Sequence, residues 1–547
     1  MKVALAQLNY TIGDFEGNAS KIIAEIKRLK QEDVDLVVFS ELSVTGYYPH
    51  DLLEKKEFIA KADDAVAEIA KHCHGIAALV GAPRINQHER GKTLFNTALF
   101  LADGEIKSSH NKTLLPTYDI FDEYRHFEPN REFSLVEYKG EKIAVTICED
   151  LWDEQPTANE FGKDKLYSIS PMEELAKLKP DFVVNLSASP FSYNQEGWRK
   201  NVLITKAKKY GIPILYCNQV GAQTELVFDG GSVYIDASGE IVKELKYFEE
   251  DCLVLDTTSL GEKALQPKVD YIEKIHDALV LGIRDYFKKM GFKQTTLGLS
   301  GGIDSAVTVV LAVRALGAEN VRVLLMPSKY SSDHSVNDAR ELAENLGIRY
   351  DVVNIQSAVD QFESALSPLF EGRSPDVTEE NIQARARGIY MMAISNKFGH
   401  ILLNTTNKSE CAVGYGTLYG DMNGGLAVLG DVYKLDVFKL SRFMNKDGEI
   451  IPENTIVKPP SAELRPDQKD TDSLPEYEAL DDMLFNYIEL NKSPKEIAAL
   501  GYDEAVVRRV IRMVNMNEYK RFQAAPILRV SSKAFGFGRK MPLVARY

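Results

Sequence analysis

The sequence predicts an α/β protein of two successive domains, on three observations. Its 547 residues exceed the size at which one hydrophobic core stops growing. Short apolar runs alternate with amphipathic stretches along the chain. The strand pattern then fades over residues 257–270, where Pro267 interrupts it, before a new amphipathic helix begins. Domains over 1–258 and 271–547, joined by a linker over 259–270, are the expectation.

The first domain opens strand, helix, strand. Val3, Leu5 and Gln7 alternate as on a strand, Asn18 can cap a helix running to Lys30, and residues 35–39 form an apolar strand. Further strands are expected at 78–81, 97–101, 143–148, 182–186, 214–217, 231–235 and 253–256, with a helix at 196–209. The Asp103-Gly104 and Ser238-Gly239 pairs predict hairpin turns.

The second domain alternates more regularly. Ile272, Ile275, Leu279 and Ile283 share one face of its first helix. Strand 296–299, helix 303–316, strand 321–326, helix 335–346 and strand 352–355 follow, the signature of a doubly wound parallel sheet. The proline-studded stretch 452–475 predicts a loop or lid, and helices are expected at 476–489 and 504–519.

Composition narrows the function classes. Hydrophobic residues make up 44% and charged residues 27%, as in an ordinary globular protein. A net charge of −15 argues against nucleic-acid and membrane-surface roles, because phosphate backbones are held by basic faces; an anionic ligand must meet a local basic pocket. The five cysteines include no C-x-x-C pair, which suits free thiols in a reducing cytoplasm. The N-terminus lacks a signal-peptide layout, and no apolar run is long enough to span a bilayer. A cytoplasmic protein is expected.

At the end of strand 296–299, Gly298, Leu299, Ser300, Gly301, Gly302, Ile303, Asp304 and Ser305 pass through two glycines into an apolar-periodic helix. Small residues let backbone N–H groups converge, and the helix N-terminus favours an anion there. The Lys-Ser/Thr ending of the common P-loop is missing. The string resembles the pyrophosphatase-type ATP loop of enzymes that cleave ATP between its α and β phosphates. In that resemblance the loop grips pyrophosphate, while Asp304, acceptor-only when ionised, suits Mg2+.

In the first domain three segments end apolar strands with reactive groups: Phe39-Ser40-Glu41-Leu42, His110-Asn111-Lys112-Thr113 and Thr146-Ile147-Cys148-Glu149-Asp150. A thiol needs a base or nearby cation to become a nucleophile; Glu41 can take its proton and Lys112 can stabilise developing negative charge. Taken singly, each has an ordinary alternative, since a buried Cys is usually an inert hydrophobe and a Glu or Lys usually solvates a face.

Taken in order, they resemble the Glu-Lys-Cys triad of the carbon-nitrogen hydrolase, or nitrilase, family over about residues 1–256. The segment Phe121-Asp122-Glu123-Tyr124-Arg125-His126-Phe127-Glu128-Pro129 matches the family stretch bearing a second glutamate, here Glu123. The resemblance implies an α-β-β-α sandwich and a thioester at Cys148 that releases ammonia without a metal. It also implies a glutamine site lined by Tyr118 and the segment 185–190, with Ser187 and Tyr193 at matching positions; family members often carry a basic residue where this chain has Tyr193.

A nitrilase-like amidase ahead of such an ATP loop resembles the glutamine-dependent NAD synthetases across nearly the whole chain. The segments 380–387, 403–410 and 414–421 match that pattern. The resemblance implies glutamine, ATP, deamido-NAD and Mg2+ as ligands, an adenine nucleotide α-hydrolase-like second domain, and a homo-oligomer. Mapped by its motifs, Asn381 and Lys520 would contact the dinucleotide, Thr405 the ATP, and Glu410 either magnesium or the dinucleotide. Lys434 and Arg385 are candidates to supply charge to phosphates, although Arg385 and Arg387 equally suit salt bridges on a helix. Two other functions stay open on the residues alone. Adenylation of a different acceptor, such as a tRNA base, is disfavoured by the acidic balance. An idle nucleotide-binding scaffold is disfavoured by the complete triad.

Overall fold

The computed structural model describes residues 1–154, 166–194, 196–259, 262–466 and 468–545, and for Glu196 the backbone alone. Two compact units divide the chain, Met1–Lys268 and Val269–Tyr547.

The first unit is built on two six-stranded sheets. One contains β1 (Lys2–Gln7), β2 (Leu36–Val38), β3 (Ala77–Ile85), β4 (Leu94–Ala102), β5 (Glu105–Asn111) and β14 (Asp251–Asp256), in the order β14-β1-β2-β3-β4-β5. The other contains β6 (Leu135–Tyr138), β7 (Glu141–Ile147), β8 (Phe182–Ser187), β9 (Ile214–Asn218), β12 (Val233–Ile235) and β13 (Ile241–Glu244), in the order β13-β12-β9-β8-β7-β6. A separate hairpin joins β10 (Val220–Gln223) to β11 (Leu226–Asp229). Each large sheet has a parallel centre, β1-β2-β3 or β7-β8-β9, flanked by antiparallel strands.

Side-chain parity makes the layers. Successive residues of a strand point to opposite faces, so Val3 and Leu5 of β1 join Val145, Ile147, Val184 and Leu186 in the core between the sheets. Ala4 and Ala6 point the other way, against Ile22, Ile26 and Leu29 of α1 (Phe15–Lys30) and Val66 and Ile69 of α2 (Lys56–Ala70). On the far side Ala144 and Val183 meet Met172 and Leu175 of α3 (Pro171–Lys177) and Leu203 and Ala207 of α4 (Glu196–Tyr210). Central strands buried on both faces therefore read as continuous apolar runs. The result is the α-β-β-α sandwich.

Both predicted hairpin turns form, β4 to β5 with Asp103 and Gly104 at positive φ, and β12 to β13 with Gly239 at φ +80°. The helix start differs from expectation. Asp14, not Asn18, caps α1 by accepting from Gly17 N–H. Asn18 lies inside the helix and binds the Thr11 and Val44 carbonyls, tying α1 to the loop after β2.

In the second unit all five strands are parallel: β15 (Thr295–Gly298), β16 (Val321–Leu325), β17 (Arg349–Val352), β18 (Ile401–Asn404) and β19 (Leu426–Ala427). The order β17-β16-β15-β18-β19 means that the chain winds outward one way from β15, then returns to its other side. Ligands of doubly wound sheets bind outside the carboxyl ends of the strands at this reversal. Residues 298–305 leave β15 at that point and enter α5 (Ile303–Leu316). The edge strand β17 lies upstream of the predicted 352–355, because Ile355 leaves the sheet to pack on Val359, Ile382 and Ala386. The stretch 452–475 carries a short helix, Glu453–Val457, and a 3-10 turn, Asp470–Asp472. Among the described residues no helix is long and apolar enough to cross a membrane.

Candidate active sites

The first site assembles at strand ends of the sandwich. Glu41 follows β2, Lys112 follows β5, and Cys148 follows β7. Lys112 Nζ donates to Glu41 Oε1 at 2.7 Å and to Glu123 Oε1 at 2.8 Å, and all three side chains are buried. Two further donors fix Glu41: Asn96 Nδ2 reaches Oε1 at 2.8 Å and the Ala188 N–H reaches Oε2 at 3.1 Å. Tyr47 donates its hydroxyl to Glu123 Oε1 at 2.7 Å.

Cys148 begins the 3-10 turn Cys148–Leu151 with φ +40°, a left-handed value that a side-chain-bearing residue adopts only when its surroundings impose it. Asp150 supplies part of that constraint. Its Oδ2 accepts from Ile147 N–H at 3.0 Å, and its Oδ1 accepts from Thr113 and Leu114 N–H at 2.9 Å each. One carboxylate thus holds the turn of Cys148 against the segment that follows Lys112.

The electrostatics are those of charges without water. Burial pushes the Cys148 thiol well above its ordinary range; Glu41 adds to the push and Lys112 opposes it. Burial raises the Glu123 carboxyl to about 7 against the pull of Lys112. Burial also opposes the Lys112 ammonium, yet the charges of Glu123 and Glu41 hold it well above the ordinary value. A thiol next to a fixed carboxylate and a fixed ammonium can pass its proton to one and have developing negative charge met by the other.

Around this network, Tyr118 donates to Glu149 Oε1 at 2.8 Å and Tyr167 donates to the same oxygen at 2.9 Å. Burial raises the Glu149 carboxyl. Ser187 is fully buried and donates to Asn185 Oδ1 at 2.6 Å, while Asn185 Nδ2 donates to Thr146 Oγ1 at 3.0 Å. Tyr193 lies on a turn at intermediate exposure. Asn96, Tyr47, Glu149 and Asp150 carry no motif of their own; only the polar ending of the β7 strand hinted at the last two.

The second site is a cavity of about 300 Å³ at the carboxyl end of β15. Gly298, Leu299, Ser300, Gly302, Ile303, Asp304, Ser305, Thr405, Glu410 and Lys434 line it, together with Arg387 and residues 458–464. Gly301 makes the turn at φ +81°, and a Cβ there would lie 2.2 Å from the Ser335 carbonyl oxygen. Ser300 Oγ accepts from Gly302 N–H at 3.2 Å, and Ser305 donates to the Gly302 carbonyl at 2.9 Å, so the loop is shaped before any ligand arrives.

At the cavity wall Lys434 Nζ lies 2.5 Å from Asp304 Oδ2 and 3.4 Å from Glu410 Oε1. Asn407, the N-cap of the helix Lys408–Val413, donates to Asp304 Oδ1 at 2.8 Å. Burial and the charge of Asp304 push the Glu410 carboxyl to about 8, against Lys434. In this conformation Lys434 faces carboxylates. Above them Glu463 accepts from the hydroxyls of Ser332 and Ser335 at 2.9 and 2.7 Å, which fastens the segment 458–464 over the cavity.

The remaining predicted residues gather on a neighbouring loop. Asn381 Oδ1 accepts from Thr417 Oγ1 at 2.6 Å, Lys520 Nζ donates to the Gly414 and Gly416 carbonyls at 2.8 Å each, and Arg385 Nε donates to the Leu418 carbonyl at 3.2 Å. Burial lowers the Lys520 ammonium against the attraction of Asp421. Arg387 Nε instead donates to the Met326 carbonyl at 3.1 Å.

The chain matches the carbon-nitrogen hydrolase family over residues 2–260 and the NAD synthase family over residues 275–524. It is 45% identical over 555 residues to a glutamine-dependent NAD(+) synthetase from Synechocystis sp., covering 100% of this chain and 99% of that one. It is 42% identical over 589 residues to one from Thermotoga maritima, covering 100% and 99%. Among solved structures it is similar to the glutamine-dependent NAD+ synthetase from Acinetobacter baumannii in complex with adenosine diphosphate. That match has a TM-score of 0.78, 40% identity, and coverage of 99% of this chain and 98% of that one. The Cytophaga hutchinsonii protein, at TM-score 0.84 and 20% identity, shares the fold.

Proposed function

We propose, from the premise that this chain belongs to the glutamine-dependent NAD(+) synthetases, that its two sites divide one amidation between them. The first takes nitrogen from glutamine. The second uses ATP to activate the nicotinate carboxylate of deamido-NAD for attack by that nitrogen. The observation that carries this reading is the coexistence in one chain of a Glu41-Lys112-Cys148 network and a glycine-shaped anion cavity at a topological switch point.

In the first site Cys148 Sγ attacks the glutamine carboxamide carbon. Glu41 takes the thiol proton and returns it to the departing nitrogen, so ammonia leaves and a thioester remains. Water, deprotonated by Glu41, then releases glutamate. Lys112 stabilises the oxyanion in both halves, and Glu123 with Tyr47 holds Lys112 in place. Tyr118, Ser187, Tyr193 and Glu149 form the walls of the glutamine pocket.

In the second site the backbone of residues 298–305 receives the pyrophosphate end of ATP, and Thr405, which lines the same cavity, contacts the ATP. The carboxylate oxygen attacks the α-phosphorus, pyrophosphate departs, and ammonia displaces AMP to leave the amide. Asp304 and Glu410, two partly buried carboxylates that share Lys434 at the cavity wall, fit a hard divalent cation. Magnesium held by them would neutralise charge on the phosphates. Asn381 and Lys520, which hold the loop 414–421 from neighbouring helices, serve the dinucleotide, and Arg385 and Lys434 supply charge to phosphates. On this reading the protein works as a homo-oligomer in the cytoplasm.

The deciding assay supplies ATP, glutamine and deamido-NAD and scores NAD, AMP and pyrophosphate. ADP in place of AMP excludes the adenylation mechanism. Cys148→Ala loses glutamine-driven synthesis and keeps ammonia-driven synthesis; equal loss of both overturns the division of labour.

A further inference from the structure

Apart from both sites, the first unit brings together three side chains of ligating type that the chemistry above does not use. Asp51 and Glu54 lie on the 3-10 turn His50–Glu54. Side chains three residues apart eclipse on such a turn, so both carboxylates project to one side. There they meet His126, just past the turn Glu123–Arg125. His126 Nε2 is 3.4 Å from Asp51 Oδ1 and 3.6 Å from Glu54 Oε1, and the three ligand atoms all lie within 4.8 Å of one another.

The imidazole supplies a second observation. Its side chain is 5% exposed, and Nε2 is buried without a hydrogen-bond partner. A buried polar atom in that condition calls for a ligand. Nδ1 is engaged by the Tyr48 hydroxyl at 2.7 Å, which fixes the ring with Nε2 aimed between the carboxylates. Metal-bound imidazoles are oriented through their other nitrogen in this way. Spacing agrees too, because a tetrahedral ion with bonds of about 2.0–2.1 Å holds neighbouring ligand atoms about 3.3–3.4 Å apart. The competitor is Arg125, whose Nη2 is 3.1 Å from Asp51 Oδ1 and 3.9 Å from Glu54 Oε1. Half of that side chain is exposed, so it can swing into solvent.

We propose that Asp51, Glu54 and His126 form a binding site for a divalent cation of the zinc class, which fastens the turn His50–Glu54 to the turn that carries Glu123. An imidazole with two carboxylates prefers such a borderline ion to magnesium or calcium. The ion touches no reacting atom. Its effect is positional, since His126 N–H donates to the Glu123 carbonyl at 3.1 Å, and a ligated His126 holds that turn fixed.

The test uses the full chain stripped with EDTA and then titrated with Co2+, as a spectroscopic stand-in, and separately with Zn2+. The wild type is compared with Asp51→Asn/Glu54→Gln, which alters two exposed residues, and with His126→Gln. All five cysteines and the Asp304 region are common to the three proteins, so their uptake cancels in the difference. The wild type is expected to take up one equivalent more than either variant and to show a visible Co2+ band that both lack. Zn2+ is expected to raise the wild-type Tm by more than it raises theirs. Equal uptake and equal Tm shifts overturn the proposal. So does uptake kept by His126→Gln but lost in the double variant, which would leave a carboxylate-only site.

Discussion

Gly301 and Gly302 are adjacent, line one loop and make opposite predictions. At Gly301 φ is +81°, and an added Cβ would lie 2.2 Å from the Ser335 carbonyl oxygen and 2.8 Å from its carbon. Both obstacles are backbone, so no side chain can turn aside. The left-handed conformation costs an alanine about 1–2 kcal/mol. Forcing an extra methyl into packed surroundings adds about 1–3 kcal/mol. Gly302 has φ −80°, and its Cβ would meet only the Ser300 hydroxyl at 3.3 Å. Gly301→Ala is therefore expected to lose roughly 2–5 kcal/mol and Gly302→Ala about 0.5 kcal/mol or less. At about 2–4 °C per kcal/mol for a large domain, the first change lowers the Tm of the second unit by roughly 4–20 °C. A loop shifted by about 1 Å costs about 10²-fold in rate, so ammonia-driven NAD synthesis by Gly301→Ala falls by that order while glutamine hydrolysis continues. Calorimetry with the two activity assays reads all of this. Equal melting of the two variants, or near-normal synthesis by Gly301→Ala, refutes the steric argument.

Asp304→Asn should abolish NAD formation and leave glutamine hydrolysis, as scored by glutamate release; unchanged synthesis removes the assigned metal role. Tyr47→Phe deletes a donor that favours the charged form of Glu123, so its carboxyl should titrate above the present value of about 7. If ionised Glu123 positions Lys112, activity rises with pH through that value, and the rising limb of the glutaminase kcat/KM profile should move to higher pH in the variant. A limb that stays in place removes that role. Asp229→Asn breaks a buried bidentate pair with Arg199, made at 2.8 and 2.7 Å, and should cost the first unit about 3–5 kcal/mol in chemical denaturation.

What was legible in the sequence follows from how each feature is encoded. Strands buried on both faces announce themselves as apolar runs, so β3, β4, β7, β8 and β9 are legible in the sequence, as is the helix Ile303–Leu316. Strands with polar alternation, such as β5 and β6, carry no comparable run. The cap of α1 is not legible, because Asp14 and Asn18 are equally good caps in isolation, and only the loop after β2 selects between them. Glu41 and Cys148 are legible because they follow apolar strand ends; Lys112 follows β5, which is polar and largely exposed instead of the apolar strand expected there. Their holders are not legible, since Asn96 reaches Glu41 across 55 residues and Tyr47 reaches Glu123 across 76, with only the fold bringing them together.

Buried groups of one lysine and two carboxylates differ in how their charge is offset. Buried Lys112 bridges Glu41 and Glu123, buried Lys434 bridges Asp304 and Glu410, and buried Lys408 bridges Asp431 and Glu489. Each group carries one excess negative charge when fully ionised, and a buried excess charge must be offset. Around Lys408 it is offset by donors. Asp431 accepts from Val530 N–H, Ser531 N–H and Ser531 Oγ, and Glu489 accepts from Ser532 Oγ, so that centre is complete. In the other two groups one carboxyl stays near neutrality. Glu123 Oε2 is buried with no partner, and its carboxyl rises to about 7; Glu410 rises to about 8. A carboxyl held near neutrality is poised to accept a proton or a cation. In the proposed thiol chemistry the Cys148 proton passes to Glu41, while Glu123 holds Lys112. In the phosphate site the incoming ligand is itself polyanionic, so a second positive charge must arrive with it. On the proposed mechanism, equivalent lysine bridges would serve thiol chemistry in one unit and cation binding in the other, according to the charge of what each must receive.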